Sequence, residues 1–184
     1  GGLLVVVADD PGMHSSQNEQ DSRFYADFAR VPCLEPATQQ EAYDMAREAL
    51  DLSERFKVPV LMRIVTRLAH SRTTVRLAEP RGQNPVTRAP LRSSWILLPA
   101  NARRQWNELL DRQAGMQAWS ESSPRNALTL NPERRELGVI TTGIARNYYL
   151  ENLEDLGWSP SHLHIGTYPV PAALVRRLAQ HVER

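Results

Sequence analysis

The apolar positions at the start of the chain form short runs separated by stretches with helical spacing. Residues 3–8 are apolar and rich in valine, and the run is too short for a buried helix. Similar runs occupy residues 31–34 and 60–66, and residues 24–29 carry apolar side chains at helical spacing. The alternation of strand and helix predicts a parallel sheet, with residues 3–8 as a central strand buried on both faces.

The helix between the second and third runs has the clearest start signal. Thr38 and Glu41 match a capping box, in which the two side chains satisfy N–H groups at the first turn of a helix. The apolar positions that follow, as far as Phe56, keep to one side of this helix and predict packing on the sheet. Three strands make about half of a complete doubly wound sheet, so we expect the second half of such a domain.

The pattern changes between residues 73 and 136. This part contains several prolines and arginines and no clear alternation, which predicts a linker with one helix over about 100–113. The alternation resumes with strands at 137–143 and 163–166, each followed by apolar positions at helical spacing. A second α/β domain is therefore expected to begin near residue 137.

Composition and charge exclude several classes of partner. The 184 residues include 22 basic and 21 acidic side chains for a net charge of +1, and the two signs are interspersed. We therefore expect no nucleic acid and no anionic membrane as partner. The apolar runs are also far shorter than the roughly 20 residues that cross a bilayer.

Cys33 is the only cysteine in the chain. A single cysteine excludes an intrachain disulfide and the multi-cysteine motifs that hold iron–sulfur clusters. Its place in the second apolar run favours a small buried hydrophobic residue. A reducing, cytoplasmic location is expected.

A segment rich in polar side chains closely follows the first apolar run. Residues 14–21 supply an imidazole, two hydroxyls, three carboxamides and two carboxylates. Open α/β sheets bind ligands beyond the carboxyl ends of their strands, where this segment is expected to lie. Composition alone favours a solvated turn with helix caps.

A hydrolase using Ser15 or Ser16 with His14 and Asp10 is disfavoured, because neighbours in one loop rarely reach triad geometry and the chain has no G-x-S-x-G elbow.

The sequence of this segment closely resembles that of the thiamine-diphosphate-dependent 2-oxoacid:ferredoxin oxidoreductases, in particular their large (alpha) subunits that act on indolepyruvate. The matching residues are DDPGMHSSQNEQDSRFY. The segments PVLMR and TRLAHSR at 59–72 resemble a second strand end of that family. A third resemblance lies in GVITTGIARNYYLE and GTYPVP, between residues 138 and 171. The resemblance covers nearly the whole chain and is strongest over residues 1–72.

The resemblance implies a fold in three parts. Residues 1–72 would form the second half of a parallel-sheet thiamine pyrimidine-binding domain, and 73–136 a linker with one helix. Residues 137–184 would begin a transketolase-C-terminal-like α/β domain. The chain starts with Gly1 and Gly2 rather than methionine. We therefore expect a segment of a longer subunit, and a half sheet with an unpaired edge strand that favours self-association.

The resemblance also implies a cofactor and substrate pocket, with His14 and Gln17 as its first candidates. Arg67 and His70 follow the third strand and are candidates for the same crevice, although a structural role, such as pairing of Arg67 with Glu19 or Asp21, is an alternative. No catalytic residue and no metal ligand is assigned, because the family's cofactor-activating glutamate lies upstream and its Mg²⁺ motif downstream. The full candidate set is His14, Ser15, Ser16, Gln17, Asn18, Glu19, Gln20, Asp21, Arg23, Arg67 and His70.

In function, the resemblance implies an enzyme that oxidatively decarboxylates a 2-oxoacid, with indolepyruvate or another aryl pyruvate expected, to an acyl-CoA. The parent enzyme would carry thiamine diphosphate with Mg²⁺ and 4Fe-4S clusters, and would work with a beta subunit, ferredoxin and CoA, as a homo-oligomer. The present chain alone would be inactive. The alternative is a non-catalytic α/β protein-interaction module that keeps only the scaffold.

Overall fold

A computed structural model describes residues 1–86 and 95–183. The predicted linker therefore lies partly outside the described residues, at 87–94, and the predicted second domain ends one residue beyond them. The elements of the described residues, in chain order, are β1 (Leu4–Asp9), α1 (Arg23–Ala29), β2 (Cys33–Leu34), α2 (Gln39–Phe56), β3 (Val60–Val65), α3 (Thr66–His70), α4 (Pro99–Ser122), β4 (Ala127–Thr129), β5 (Gly138–Thr142), α5 (Ala145–Glu151), α6 (Leu153–Leu156), β6 (Ser161–Ile165), β7 (Thr167–Tyr168) and α7 (Ala172–His181).

The first sheet has the strand order β1-β3-β2-β7. β3 is parallel to both β1 and β2, with Val7 opposite Arg63 and Cys33 opposite Leu61. The predicted parallel sheet is therefore confirmed for the first three strands. Because these strands are parallel, their carboxyl ends meet at one edge, where β1 ends at Asp9 and β3 ends at Val65.

The position of β1 differs from the prediction. Within the described residues it is an edge strand, and the side chains of Val5 and Val6 are 40% and 52% exposed. A central strand buried on both faces is therefore wrong for the described chain. The apolar sequence of β1 is that of a covered strand, but no described strand lies beyond it. The expected unpaired edge is what the structure shows.

The main core lies between the first sheet and α2. Glu41 donates its backbone N–H to the Thr38 hydroxyl over 3.1 Å, so Thr38 caps α2 as predicted. The Glu41 carboxylate accepts the N–H of Ala37 over 2.8 Å, one residue before the N–H that a standard capping box pairs. The apolar stripe of α2 then packs on the sheet. The buried residues of this core are Leu34, Met45, Ala49, Leu52, Phe56, Val60, Met62 and Met116.

Helix α4 is longer than the sequence pattern predicted. It spans 24 residues and continues to Ser122, because Met116 and Ser120 are buried beyond the predicted end near residue 113. Met116 joins α4 to the core that α2 forms. Across residues 1–86 and 95–183, α4 and the other helices all lack the apolar length that a bilayer crossing requires.

The second sheet has the order β4-β6-β5. β5 and β6 are parallel, as the resumed alternation predicted, and α7 covers them through a small core around Leu163, Ile165 and Leu178. β4 is antiparallel to β6 and lies inside the predicted linker. Its three residues are too few to give a periodic signal, which explains why the sequence did not reveal it.

The chain passes directly from the second sheet to the first after β6. Gly166 separates β6 from β7, which pairs antiparallel with β2. The side-chain oxygen of Asn126 accepts hydrogen bonds from the N–H groups of Gly166 (2.9 Å) and Thr167 (3.0 Å). A Cβ at Gly166 would lie 2.9 Å from the carbonyl oxygen of Arg125, so this crossing requires glycine. The proposed domain limits at 72, 73–136 and 137 stay a prediction.

We predict that the 184-residue chain self-associates through β1. An exposed apolar edge strand offers unpaired N–H and C=O groups to another copy. Val6→Lys should reduce the apparent mass measured by sedimentation velocity across a concentration series. Val86→Lys is the control, since Val86 is exposed outside any strand. A wild-type chain that remains monomeric at all concentrations would contradict this prediction.

Candidate functional site

The segment between β1 and α1, residues 10–22, is called the β1–α1 loop here, and a buried carboxylate holds its first half. One oxygen of Asp10 accepts the backbone N–H groups of Ser15 (2.6 Å) and Ser16 (2.7 Å). Its other oxygen accepts the hydroxyl of Thr66 (2.6 Å), directly after β3. The Thr66 hydroxyl and these N–H groups hold the pKa of Asp10 well below its usual range. Asp10 therefore ties the loop to the ends of two neighbouring strands.

Asp9, the last residue of β1, holds the other end of the loop. Its carboxylate accepts the N–H (2.7 Å) and the hydroxyl (2.6 Å) of Ser22 and the Nε–H of Arg63 (2.5 Å). Burial opposes the charged form of Asp9, but the hydrogen bonds from Ser22 and Arg63 outweigh it and lower the pKa. Sequence reasoning missed this role. The available signal was a carboxylate placed directly at the end of an apolar strand.

Arg63 lies at the centre of a buried ion-pair network. Its guanidinium binds Asp9 on one side and Glu35 on the other, with 2.5 Å between nitrogen and oxygen in both contacts. All three residues are buried, and Glu35 also accepts the hydroxyl of Tyr168 over 2.7 Å. Burial and the nearby Glu35 carboxylate raise the pKa of that hydroxyl above its usual range. The network thus joins the ends of β1, β3 and β2 to β7.

Asp21 and Arg23, two of the predicted pocket residues, extend this network towards the second sheet. Arg23 donates Nε–H to Asp21 over 2.7 Å and Nη1–H to the hydroxyl of Thr142 over 3.0 Å. Glu35 lies 3.7 Å from the same Nη1. The hydrogen bond from Arg23 lowers the pKa of Asp21. Both charges are therefore paired within the chain, which favours a positioning role over direct contact with a charged ligand.

The remaining loop candidates are half-buried or exposed. Ser16 and Gln20 are half-buried, and the Gln20 amide oxygen accepts the N–H of Asp10 over 3.3 Å. Gly12 has φ +80°, a conformation that favours glycine and turns the chain after the strand. The exposed candidates in the loop are His14, Ser15, Gln17, Asn18 and Glu19. A loop that is held at both ends and exposes polar side chains is suited to contact a ligand or a neighbouring subunit.

Arg67 and His70 lie on α3, whose first residue, Thr66, contacts Asp10 in the β1–α1 loop. They line a cavity of about 410 Å³ between α3 and α5, which shares no lining residue with the loop. The Arg67 guanidinium lies 5.3 Å from the centre of the Tyr148 ring, in cation–π contact, and forms no ion pair with Glu19 or Asp21. The residues of α5 form the opposite wall of this cavity. A crevice that Arg67 and His70 share with the loop stays a prediction.

A second polar cluster escaped sequence reasoning altogether. His162 and His164 lie on one face of β6, and their ring nitrogens are 2.8 and 3.2 Å from the hydroxyl of Thr141 on β5. Burial, with a smaller contribution from the charge of Arg146, lowers the pKa of His164 to about 4. Their spacing of two residues within a strand was the signal that would have grouped them.

A larger cavity of about 830 Å³ lies between α1, α4 and the turn after β7, and is called the α1–α4 cavity here. Asp21 and Arg23 lie at the end of it that adjoins the β1–α1 loop. Ala114 of α4 is among the lining residues, and so are Tyr168 and Val170 at and after β7. Its position next to the loop makes it part of the candidate site.

The described residues offer hydrogen-bonding groups for a metal-dependent cofactor site but no set of metal ligands. No group of three His, Cys, Asp or Glu side chains in residues 1–86 and 95–183 is arranged to hold a metal ion. Cys33 is fully buried, and burial raises its pKa to about 12, which disfavours the thiolate that a metal or cluster would bind. The loop offers hydrogen-bonding groups, so the chain is suited to form one wall of such a site.

The fold is that of a 2-oxoacid:ferredoxin oxidoreductase chain. The 2-oxoglutarate:ferredoxin oxidoreductase from Magnetococcus marinus, solved with 2-oxoglutarate, coenzyme A and succinyl-CoA bound, superposes with a TM-score of 0.64 at 14% identity. The match covers 98% of this chain and 40% of that one. No protein-family model matches the sequence. The α/β fold class predicted from the sequence is confirmed.

Comparison of the sequence identifies a narrower group of similar proteins than comparison of the fold. Indolepyruvate oxidoreductase subunit IorA of Methanothermobacter marburgensis is 38% identical over 185 residues, and that of Pyrococcus abyssi 38% over 194. The same subunit of Archaeoglobus fulgidus is 34% identical over 192 residues. These matches cover 99 to 100% of this chain but only 30% of each relative. The chain belongs to the family of IorA-like subunits and spans about 30% of the length of the curated relatives it matches.

We predict that Arg63→Ala destabilises the chain strongly. Removing the guanidinium leaves Asp9 buried without a counter-charge, and leaves Glu35 with only the Arg23 guanidinium at 3.7 Å. Such a change costs about 3–5 kcal/mol of unfolding free energy. Arg81→Ala is the control, since Arg81 pairs with Asp51 at an exposed site where about 1 kcal/mol or less is expected. Urea denaturation measures both. Equal, small effects would show that the network contributes little.

A second prediction concerns pH and His164. Its pKa in the fold, about 4, is below its ordinary 6.5, so the unfolded chain binds the extra proton first. The contribution of His164 to stability is thus complete above pH 6.5 and is lost as the pH falls towards 4. His164→Gln should flatten this part of the stability profile, with a residual slope from His162, whose pKa burial also lowers. His70→Gln, at an exposed histidine, is the control in urea titrations at each pH.

Proposed function

We propose that this chain is part of a thiamine-dependent 2-oxoacid:ferredoxin oxidoreductase that converts an aryl 2-oxoacid, with indolepyruvate as first candidate, to an acyl-CoA. The observation that carries the proposal is the β1–α1 loop. Its residues hold the resemblance, and they lie beyond the carboxyl ends of parallel strands, where open α/β sheets bind ligands. The names of the IorA relatives and the fold of the Magnetococcus marinus enzyme support the same reaction class.

In this proposal the loop forms one wall of the cofactor and substrate pocket. Thiamine diphosphate, when bound, supplies the carbon nucleophile for the 2-oxo carbon. The part of this chain is to orient polar groups around the bound molecules, with His14 and Gln17 as the first contacts. Asp9 and Asp10 hold both ends of the loop, and their lowered pKa values keep them ionised at neutral pH. They therefore act as positioning residues.

The remaining parts of the reaction are proposed to come from outside this chain. Mg²⁺ and the 4Fe-4S clusters need ligand sets that residues 1–86 and 95–183 do not offer, so this chain alone is proposed to be inactive. A beta subunit, ferredoxin, CoA and a homo-oligomeric assembly complete the proposal. A cytoplasmic location is included because the single cysteine of the chain, Cys33, is a buried free thiol.

The alternative is a non-catalytic interaction module. The observation that favours it is the surface of α1, where the rings of Phe24, Tyr25 and Phe28 are 73%, 70% and 87% exposed. Three neighbouring exposed aromatic side chains on one short helix are typical of a surface that contacts another protein. Such a surface also suits a subunit interface of the enzyme. A measurement of oxidoreductase activity is therefore needed to distinguish the enzyme from the interaction module.

The deciding experiment uses the full-length subunit together with its partner subunit. The assay contains a 2-oxoacid, CoA and thiamine diphosphate, with a viologen dye as electron acceptor. Dye reduction that requires both thiamine diphosphate and the 2-oxoacid would support the oxidoreductase and rank its substrates. Absence of reduction with aryl, branched and small 2-oxoacids alike would favour the interaction module.

In the active enzyme we predict that Asp10→Asn and Gln17→Ala each lower kcat/KM for the 2-oxoacid at least about tenfold. Asp10→Asn replaces an oxygen acceptor with an NH₂ donor and so loses hydrogen bonds to a charged group, each worth about 1.5–3 kcal/mol. Gln17→Ala removes a proposed ligand contact. Gln83→Ala, at an exposed position outside regular structure, is the matched control. Steady-state kinetics with unchanged kcat/KM in both loop variants would remove the loop from the pocket.

A further inference from the structure

The α1–α4 cavity has the size of a small-molecule site. Its volume of about 830 Å³ falls within the roughly 300–1,000 Å³ of known ligand pockets. It begins at Asp21, where the β1–α1 loop ends, and extends between α1 and α4. A molecule held against the loop would therefore have direct access to it.

The walls of this cavity suit an uncharged, largely apolar group. Apolar side chains make up much of the lining, including Phe24, Ile165 and Val170. The charges at the inner end are already paired, because the Arg23 guanidinium binds Asp21 and Thr142. A charged ligand group would find no free counter-charge at this inner end, whereas an apolar group would be removed from water. The lining also includes Asp27 and Arg30, and the Arg30 guanidinium lies 5.5 Å from the centre of the Trp106 ring.

The lining also favours an aromatic ring over an alkyl chain. Phe24 is 73% exposed and offers a ring face or edge, and the ring of Tyr168 lies in another wall. Gln113 and Gln117 use their side-chain NH₂ groups to bind the backbone carbonyls of Arg30 (3.1 Å) and Val170 (2.9 Å). Amide oxygens remain as acceptors suited to a ring N–H.

We propose that the α1–α4 cavity receives the aromatic side chain of the 2-oxoacid. This inference rests on the proposed function. In an aryl pyruvate only one methylene separates the 2-oxo carbon from the ring, so the ring site has to adjoin the wall that holds the reacting group, as this cavity adjoins the loop. Phe24 packs against the ring, and Ala114 on the facing helix sets the depth of the cavity. These two residues are assigned as determinants of substrate size.

The test compares two substrates in the full-length enzyme with its partner subunit: indolepyruvate and the smallest 2-oxoacid that the wild type turns over. Ala114→Phe fills the cavity and should lower kcat/KM for indolepyruvate at least about tenfold more than for the small substrate. Ala118→Phe, one turn along α4 and outside the cavity, is the matched control and should leave the preference unchanged.

A second pair of variants covers the case in which the larger side chain prevents folding. Phe24→Ala should reduce the preference for indolepyruvate several-fold with an unchanged requirement for thiamine diphosphate. Phe28→Ala, which removes an exposed ring on the same helix that does not line the cavity, should not change this preference. Equal losses on both substrates, or an unchanged preference in Phe24→Ala, would overturn this inference alone. A wild-type enzyme that turns over no 2-oxoacid would overturn the proposed function, and this inference with it.

Discussion

The buried guanidinium of Arg63 is the contact on which the rest of this structure depends. It lies within β3 and binds a carboxylate at the end of each neighbouring strand, Asp9 as the last residue of β1 and Glu35 directly after β2. Burying these charges costs desolvation energy that an apolar trio would avoid, so the network contributes more to a unique arrangement than to net stability. From Asp9 it reaches Ser22 at the start of α1, and from Glu35 it reaches Tyr168 in β7.

In this arrangement the residues that hold the β1–α1 loop are buried, and the residues that can contact a ligand are exposed. Asp9 and Asp10 are buried and fully hydrogen-bonded, whereas His14 and Gln17 between their contacts are exposed. A loop held at both ends keeps its side chains in place without a core of its own, which is how scaffolds present functional groups. The β1–α1 loop can therefore expose many polar groups while its ends are fixed to the sheet by Asp9 and Asp10.

Sequence patterns predicted those elements whose signal is local. The capping box at Thr38, the apolar runs of β1 and β3 and the resumed alternation after residue 137 all correspond to observed elements. β4 and β7 were missed because three-residue and two-residue strands carry no periodicity and form only through tertiary pairing. The site was only partly predictable for a related reason. A single arginine inside the apolar β3 run signals a need for buried partners, but its partners are distant in sequence.

The passage from β6 to β7 also limits how this protein can have changed during evolution. One uninterrupted stretch, residues 161–168, supplies a strand to each sheet, and Gly166 at the crossing tolerates no side chain. Recombination that exchanged the second α/β unit for an unrelated module would also remove the strand that flanks β2 and the tyrosine bound to Glu35. The two sheets therefore share one continuous stretch of chain, and a replacement of the second sheet would also remove contacts within the first.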